Sequence, residues 1–341
     1  GMRKEDMLRT YLDLALLCHP LLAFLSVSRP KSKYSTMAIQ NSRLQYFLVS
    51  FLSILALRYA STSYFSASAA ELVAKAEICQ TLDQPNPIAA QYPNNATGVL
   101  NGTIAVLPIS LDLARSLIPS QYRILEHAYR ALLPDFPADM YPALVQAVHD
   151  HDVQAMGFKI PDFSRAGIEF PFIDLLSDNS TSFKYIPTLF MTAGAAIAIK
   201  GAQDYGHKVF ESEFNPPCDA YRATSDVATS FCATASDAHV DTTFTASPAT
   251  PQFSLDFFKN ITNQVMFADG KSCDNMIRLF NTSLSTAPYG IESVRGSVKA
   301  QVPGLFEREQ VWDGVEGIRF ASAFIENNYL PCENFRGYGS A

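Results

Sequence analysis

Apolar and polar residues alternate strictly in several stretches of the chain. In SVKAQV, Val298, Ala300 and Val302 fall on one side of an extended backbone and polar residues fall on the other. The stretch GIRFASAFI alternates similarly. A period of two is the pattern of a strand with one buried face. These stretches predict an antiparallel sheet with one covered side.

Other segments indicate buried strands and a few helices. GTIAVLP, AGIEFPFIDLL and SFKYIPTLFMTAGAAIAI are apolar, and irregularly placed prolines interrupt the last two, which predicts strands with bulges. SLDLARSL, with Ser110 as cap and Asp112 in the first turn, predicts a short helix. SLDFFKNITNQVMF has helical spacing, and MYPALVQAVHDH is also predicted to be helical. The expected fold class is α+β, with a curved, largely antiparallel, β-barrel-like sheet and flanking helices.

The N-terminal part resembles a leader. Residues 37–70 contain Arg43, an apolar core from Tyr46 to Leu57 and a small-residue run that ends Ala67-Ser68-Ala69, the layout of a secretory signal peptide. We expect translation to start at Met37, residues 1–36 to be an N-terminal extension, and residues 71–341 to form a single catalytic β-barrel domain. The alternative is a membrane anchor built from both apolar N-terminal stretches.

Sequons and cysteines agree with export. Five Asn-x-Ser/Thr sequons are candidate glycosylation sites: Asn95, Asn101, Asn179, Asn260 and Asn281. Five cysteines follow the leader and are disulfide candidates: Cys79, Cys218, Cys232, Cys273 and Cys332. Five cysteines allow two pairs in fifteen ways, so the pairing stays open. The predicted location is outside the cell or in the secretory lumen, with no stable membrane span after signal removal.

Composition and missing motifs narrow the function. With 48% hydrophobic and 17% charged residues, the chain is able to bury a large core. A formal charge of −7 disfavours a nucleic-acid partner. The chain lacks Gly-x-Ser-x-Gly, Gly-x-Gly-x-x-Gly, a phosphate loop and His-Glu-x-x-His, so no cofactor is predicted. The stretch HDHD, His149 to Asp152, has too few neighbouring ligands for a metal site and is predicted to be a solvated helix end.

The stretch KGAQDYGHKVFESEF, Lys200 to Phe214, concentrates reactive residue types. A lysine desolvated on a curved sheet becomes a nucleophilic amine near neutral pH. The alternative is a turn, with Gly201 and Gly206, from which Lys200 and Lys208 reach solvent.

The wider segment, SLDLARSLIPSQYRIL, then IEFPFIDLL, then IAIKGAQDYGHKVFESEF, resembles the acetoacetate decarboxylase-like superfamily in order and spacing. Gly201 matches the family glycine, and Tyr205-Gly206 matches its aromatic-glycine pair. Family decarboxylases continue with a proline and two lysines, whereas this chain continues His207-Lys208-Val209. Val209 therefore falls at the Schiff-base position, and only a one-residue deletion brings Lys208 there.

The leader, the sequons and the ending FIENNYLPCENFRGYG are similar to a secreted fungal branch of this superfamily, which includes the hetero-Diels–Alderases of tropolonic sesquiterpenoid pathways. The resemblance implies a cofactor-free cyclase that joins a tropolone quinone methide to a terpene alkene, with a small hydrophobic substrate as its partner. The expected catalytic residues are the donors Lys208, His207, Tyr205 and Arg222, with Glu169 as an acid. The alternatives are a Schiff-base decarboxylase or aldolase using Lys208, and a non-catalytic carrier of hydrophobic ligands.

Overall fold

The computed structural model describes residues 84–155, 157–220, 228–285 and 290–339. The predicted extension, the signal peptide, Cys79 and Arg222 lie outside these residues. Within them, no helix combines the length and apolar character needed to cross a membrane.

The described chain is dominated by β-strands. The first seven strands are β1 (Ala96–Ser110), β2 (Arg123–Ile124), β3 (Met140–Ala155), β4 (Phe158–Lys159), β5 (Phe163–Asp174), β6 (Phe183–Tyr185) and β7 (Thr188–Thr192). The later strands are β8 (Lys208–Asn215), β9 (Ala228–Thr234), β10 (His239–Ala246), β11 (Val265–Phe267), β12 (Ser272–Leu279), β13 (Glu292–Val302) and β14 (Phe306–Pro331). The helices are α1 (Leu111–Leu117), α2 (Glu126–Leu132), α3 (Ala196–Asp204) and α4 (Leu255–Thr262), and a 3-10 turn follows at Cys332–Phe335.

The sheet closes on itself twice. Strands β1, β3, β5 and β14 are shared. Pairing through β6, β11 and β12 completes a smaller ring, and pairing through β7 to β10 and β13 completes a larger ring. The pairings β6–β11 and β7–β8 are parallel, and the other pairings between described strands are antiparallel. This arrangement confirms the predicted α+β class with a curved, largely antiparallel sheet.

Glycines permit the tight approach of neighbouring strands. A Cβ added at Gly296 in β13 would lie 1.9 Å from the Thr243 carbonyl oxygen of β10. Gly102 in β1 has φ +147°, and its Cβ would lie 2.2 Å from the Ala147 carbonyl oxygen of β3. Real side chains do not fit at such distances, so the close pairing of β13 with β10 and of β1 with β3 requires glycine at these positions.

Serine side chains cap two of the helices, and the first of these caps, Ser110, was predicted from the sequence. The Ser110 hydroxyl accepts a hydrogen bond from the Leu113 amide at the start of α1, and the Ser254 hydroxyl accepts one from Phe257 at the start of α4. Helix α4 ends at Thr262, and Val265 already belongs to β11. Helix α4 therefore ends just before the chain enters the smaller ring at β11.

The helical prediction for MYPALVQAVHDH is wrong, because this segment is β3. The strand pairs with β1 on one side and β5 on the other, and most of its residues are buried. A strand buried on both faces loses the alternation that distinguishes it from a buried helix. The HDHD stretch is consequently part of a strand, and His149, Asp150 and His151 are fully buried rather than solvated.

The C-terminal half of SFKYIPTLFMTAGAAIAI also differs from prediction. Strands β6 and β7 form as expected, but the small residues from Ala196 onward begin α3. Alanine-rich sequence favours a helix intrinsically, and this preference decides the local structure once the sheet pairing of β7 has ended.

One disulfide is fully described, between Cys273 of β12 and Cys332 after β14. Cys218 is also disulfide-bonded. Cys232 is a free thiol, which corrects its inclusion among the disulfide candidates, and burial raises its pKa to about 11. The disulfide between Cys273 and Cys332 ties β12 to the end of β14, beside the interior of the smaller ring.

Candidate active site

The interior of the smaller ring contains a buried ion pair. Lys184 of β6 and Glu169 of β5 are fully buried, and Nζ lies 2.7 Å from Oε2. The two groups are close enough for an ion pair but are not aligned as a hydrogen bond, so each keeps hydrogen-bonding capacity. Burial lowers the pKa of Lys184 to about 8, although Glu169 opposes the shift.

A second ion pair lies beside the first. Arg165 of β5 donates from Nε to Oδ2 of Asp150 at 2.7 Å and from Nη2 to Oδ1 at 3.3 Å. Both residues are buried. The two-point contact holds the guanidinium plane in one orientation, with Nη2 also 3.5 Å from the sulfur of Met276.

Arg278 of β12 supplies a third buried cation. Its Nη2 donates to Oε1 of Gln146 at 2.6 Å, and its Nη1 donates to the carbonyl of Thr262. Its Nε has no hydrogen-bond partner among the described residues. Burial, followed by the charge of Arg165, lowers the pKa of Arg278 to about 10. The guanidinium is therefore an enclosed donor with one unused N–H.

Two carboxyls complete this group. Asp274 of β12 and Glu326 of β14 are neighbours across the two paired strands, because Glu326 pairs with Met276, two residues along β12 from Asp274. Burial, and then the charge of Glu326, raises the pKa of Asp274 well above its ordinary value. Burial also raises the pKa of Glu326. We name the following residues the interior cluster: Gln146, Asp150, Arg165, Glu169, Lys184, Asp274, Arg278 and Glu326.

Strand register explains why these side chains meet. Gln146 and Asp150 lie on one face of β3, together with Leu144 and Val148, since alternate residues share a face. Leu144 pairs with Glu169, and Val148 pairs with Arg165. The shared wall thus presents charged and apolar side chains to the same interior.

Tyr205 and His207, predicted from sequence, lie against the interior cluster. The Tyr205 hydroxyl donates to Oδ1 of Asn328 at 3.1 Å and accepts from the Tyr329 amide at 2.9 Å. Burial raises the pKa of Tyr205, and the charges of Asp274 and Glu326 add to the shift. Nδ1 of His207 hydrogen-bonds the carbonyl of Ile186.

His207 is a neutral imidazole at physiological pH. Burial lowers its pKa to about 4, against the opposing hydrogen bond to Ile186. Because a carbonyl only accepts, Nδ1 carries the proton and Nε2 is left as an acceptor. The single N–H of His207 is thus already bound to Ile186, and the ring presents an acceptor rather than the donor that the sequence predicted.

Lys208 lies elsewhere. Its side chain is exposed at the start of β8, where Nζ donates to the carbonyl of Pro303 at 3.3 Å and lies 4.5 Å from the centre of the Phe210 ring. Glu169 is enclosed in the smaller ring. The structure thus brings Glu169, Tyr205 and His207 towards one centre and leaves Lys208 in solvent, in agreement with the alternative of a turn.

Sequence reasoning missed Lys184, Arg165, Arg278, Asp150, Asp274 and Glu326. A usable signal was present, since Arg165 and Glu169 are four apart in a strand, as are Asp274 and Arg278. Charged residues at even spacing inside apolar strands share one buried face. Lys184, between Phe183 and Tyr185, has the same character.

The predicted glycosylation sites differ in exposure. Asn95, Asn179 and Asn281 are exposed, and Asn260 is half-buried with its Oδ1 accepting from Gln264. Asn101 is fully buried in β1, and its Oδ1 accepts from the Ala220 amide at 3.3 Å. A glycan on Asn101 is incompatible with this packing, which corrects that prediction.

No model of a known protein family matches the chain, and no curated protein matches it in sequence. Among solved structures, it is similar to an acetoacetate decarboxylase-like enzyme from Sphingomonas wittichii RW1, at 10% identity over 70% of this chain and 94% of that chain, with a TM-score of 0.36. It is also similar to the enduracididine biosynthesis enzyme MppR with HEPES buffer bound, at 7% identity over 70% and 88% of the two chains, with a TM-score of 0.41. It is similar as well to MppR complexed with pyruvate, at 8% identity over 70% of this chain and 91% of that chain, with a TM-score of 0.40. Identities of this size say nothing about shared chemistry.

Proposed function

We propose that the protein is a cofactor-free enzyme of the acetoacetate decarboxylase-like superfamily that activates a carbonyl of a hydrophobic small molecule inside the smaller ring. The observation that carries the proposal is the buried pair Lys184 and Glu169, with the unused Nε of Arg278 in the same cluster. Donors that are already oriented in a water-excluded site stabilise developing negative charge on oxygen more strongly than donors in water.

The reaction that we propose is a hetero-Diels–Alder cycloaddition of a tropolone quinone methide with a terpene alkene. Lys184 or Arg278 would donate to the carbonyl oxygen of the heterodiene and draw electron density from it. Leu144 and Val148 would contact the apolar partner. Holding two apolar partners in a reactive pose contributes several kcal/mol, on the order of 7 at best, through avoided entropy loss.

The substrate would enter beside the end of β14. Glu326 and Asn328 are only half-buried there, whereas Lys184 and Glu169 are fully enclosed. We propose further that the protein is exported and that its exposed sequons are glycosylated. Support for export comes from the leader-like segment, the described disulfide and the exposure of Asn95, Asn179 and Asn281.

A product assay tests the cyclase. The protein is incubated with a tropolone quinone methide precursor and a humulene-type alkene, and product stereochemistry is compared with the spontaneous background. We expect a single stereoisomer to be enriched, a loss of this enrichment in Lys184→Met, and retention in the exposed control Lys208→Met. A product mixture equal to the background rejects the cyclase, and saturable binding without turnover indicates a carrier.

A Schiff-base decarboxylase or aldolase is the second candidate, now at Lys184 rather than Lys208. The observation in its favour is the lysine pKa of about 8, which leaves roughly one tenth of the amine neutral at pH 7. Borohydride trapping with a β-keto acid, followed by intact-mass measurement, separates the candidates. An adduct that is lost in Lys184→Met but kept in Lys208→Met supports Schiff-base chemistry, and no adduct in the wild type rejects it.

A further inference from the structure

Asp274 and Glu326 differ from Asp150 and Glu169, the other acids of the interior cluster, because neither makes an ion pair with a described residue. Their strands are paired, with Glu326 opposite Met276, two residues along β12 from Asp274. Because alternate residues of a strand share a face, the two carboxyl groups project from the same face of the sheet, and the charge of Glu326 raises the pKa of Asp274. Two neighbouring carboxylates in an enclosed interior cannot both be ionised, so one of them carries a proton.

The charge balance of the cluster leads to the same conclusion. Its cations are three, namely Arg165, Lys184 and Arg278, and its carboxyls are four, namely Asp150, Glu169, Asp274 and Glu326. Net charge is costly in an enclosed interior. A single shared proton makes the cluster neutral. Asp274 is the more enclosed of the two facing acids, with 6% of its surface exposed.

One carboxyl oxygen of Asp274 is available to contact a bound molecule. Its Oδ1 is buried and has no hydrogen-bond partner among the described residues. Met266 of β11 is the register partner of both Lys184 and Asp274. Neighbouring strands are about 4.8 Å apart, so the backbones of Lys184 and Asp274 lie roughly 10 Å apart at one level of the ring. The Met266 side chain projects from the same face between them, so a small molecule that lies over Met266 would contact the amine on one side and the acid on the other.

Hydrogen bonds through Asn328 connect the pair to Tyr205. Nδ2 of Asn328 donates to Oε2 of Glu326 at 3.3 Å, and Oδ1 of Asn328 accepts from the Tyr205 hydroxyl. Tyr205 stacks on Tyr329, whose side chain is exposed. Because Glu326 is half-buried and Asp274 is enclosed, Glu326 is the member of the pair that exchanges protons with solvent.

We propose that Asp274 and Glu326 share one proton and that Asp274 delivers it to an oxygen of the bound substrate opposite Lys184. The proposal rests on the function proposed above and assigns the general acid to this pair instead of Glu169. The recognised chemical class is a hydrophobic molecule that carries a benzylic-type hydroxyl next to an acidic ring hydroxyl.

The proposed proton transfer from Asp274 is one step of a dehydration, in which the substrate loses one water molecule. The Asp274 carboxyl turns so that its protonated oxygen faces the substrate, its O–H bond breaks, and the proton joins the leaving hydroxyl. The carbon–oxygen bond breaks and water departs. The ring hydroxyl loses its proton to Glu169, and its oxygen becomes the carbonyl of the quinone methide. Asp274 is left as a carboxylate near the charges of Arg165 of β5 and Arg278 of β12, while Glu326 is near Arg165, Asp150 of β3 and Tyr205.

An infrared pH titration tests the shared proton without any substrate. We expect the wild type to show the C=O stretch of a protonated carboxylic acid at pH 7. The band is expected to be lost in Asp274→Asn and kept in Asp256→Asn, which alters an exposed aspartate of α4. Glu326→Gln is expected to weaken the band at pH 7, because removing the neighbouring charge lowers the pKa of Asp274. No such band in the wild type, or a band that survives both substitutions, overturns the proposal.

Kinetics test proton delivery. Asp274→Asn should lower kcat for the hydroxyl-bearing precursor by about 10²- to 10⁴-fold with KM little changed. Glu326→Gln should move the alkaline limb of the pH–rate profile down by about one unit or more. Supplying the preformed quinone methide should restore the Asp274→Asn rate. Unchanged kcat and pH profile in both variants overturn the assignment.

The two proposals fail differently. If the wild type shows the band but gives only background products, the cyclase is rejected and the shared proton stands. If the wild type is active and lacks the band, the cyclase stands and the shared proton is rejected. If Asp274→Asn does not fold, Glu326→Gln tests the shared proton, since it alters the half-buried member of the pair. This variant is expected to weaken the C=O band and to shift the alkaline limb of the pH–rate profile, and a variant that changes neither overturns the proposal.

Discussion

The ammonium of Lys184 lies 2.7 Å from Oε2 of Glu169, with neither side chain reaching solvent. Each charge is desolvated, and each compensates the other. Such a pair contributes little net stability, but removing one partner leaves an uncompensated charge in the interior. The pair is therefore more informative about chemistry than about stability.

A double-mutant cycle tests this reading of the pair. Lys184→Met should lower the free energy of unfolding by about 3 to 5 kcal/mol, because Glu169 is left buried and unpaired. Adding Glu169→Leu should recover most of the loss. Lys208→Met, at an exposed position, should stay within about 0.5 kcal/mol of the wild type. Urea denaturation measures the wild type, both single variants, the double variant and Lys208→Met, and strictly additive losses in the cycle would contradict a coupled pair.

His207 should make the protein acid-sensitive. Its pKa of about 4 in the folded state lies below its ordinary value of 6.5, so the unfolded chain binds more protons between these pH values. Stability must then fall as the pH drops from 6.5 towards 4, by on the order of 3 kcal/mol from this group. Above pH 6.5 the group is neutral in both states and contributes no pH dependence.

The measurement is the unfolding free energy of the wild type and His207→Gln at pH 7 and pH 4. The difference between the two proteins should shift in favour of the variant at the lower pH. His127→Gln, at an exposed position of α2, controls for loss of an imidazole. Parallel pH curves for the wild type and His207→Gln would show that His207 is not buried as described.

The strands whose two faces differ were predictable from the sequence. SVKAQV alternates because β13 has one covered face, with Val298, Ala300 and Val302 buried, and the predicted cap at Ser110 follows from local chemistry. Strand β3 was not predictable in this way, because it lies in the wall that both rings share and is buried on both sides. The sequence of β3 shows that the segment is buried, but it does not show whether the apolar residues repeat with the period of a helix or of a strand.

The site was only partly predictable for a related reason. Tyr205, His207 and Glu169 were found through a short motif, and they do approach the cluster. Lys184, Asp274 and Glu326 come from strands far apart in the chain, and only ring closure brings them together. Local sequence does not encode which strands pair across such separations, so the motif led to the exposed Lys208 rather than to Lys184.

Gly296 should tolerate no side chain. A Cβ there would lie 1.9 Å from a backbone oxygen of β10, and the backbone cannot yield without breaking the β10–β13 pairing. Gly296→Ala should lower stability by at least the 1 to 3 kcal/mol typical of overpacking, roughly. Ser297→Ala, the next residue in β13 and half-buried, is the matched control. Equal thermal unfolding midpoints for the two variants would contradict the close approach.

Glycan mapping tests the export proposal and the register of β1 together. Sequons are modified while the chain is still unfolded, but a glycan on Asn101 would have to be buried among β1 neighbours when the strand pairs. Molecules carrying it should fail to fold and be retained. Protein secreted from a eukaryotic host should therefore carry glycans at exposed sites such as Asn95, Asn179 and Asn281 and none at Asn101.

Enzymatic deglycosylation in water enriched in the heavy oxygen isotope converts each occupied asparagine to a labelled aspartate, which mass spectrometry detects. Asn179→Gln should remove one glycan, whereas Asn101→Gln should leave the mass of the carbohydrate unchanged. A glycan at Asn101 in the folded fraction would overturn the pairing of β1 with β3, because the strand would have to turn its other face to the interior. Unglycosylated asparagines at every exposed sequon would instead count against export, and this result would not contradict the described fold.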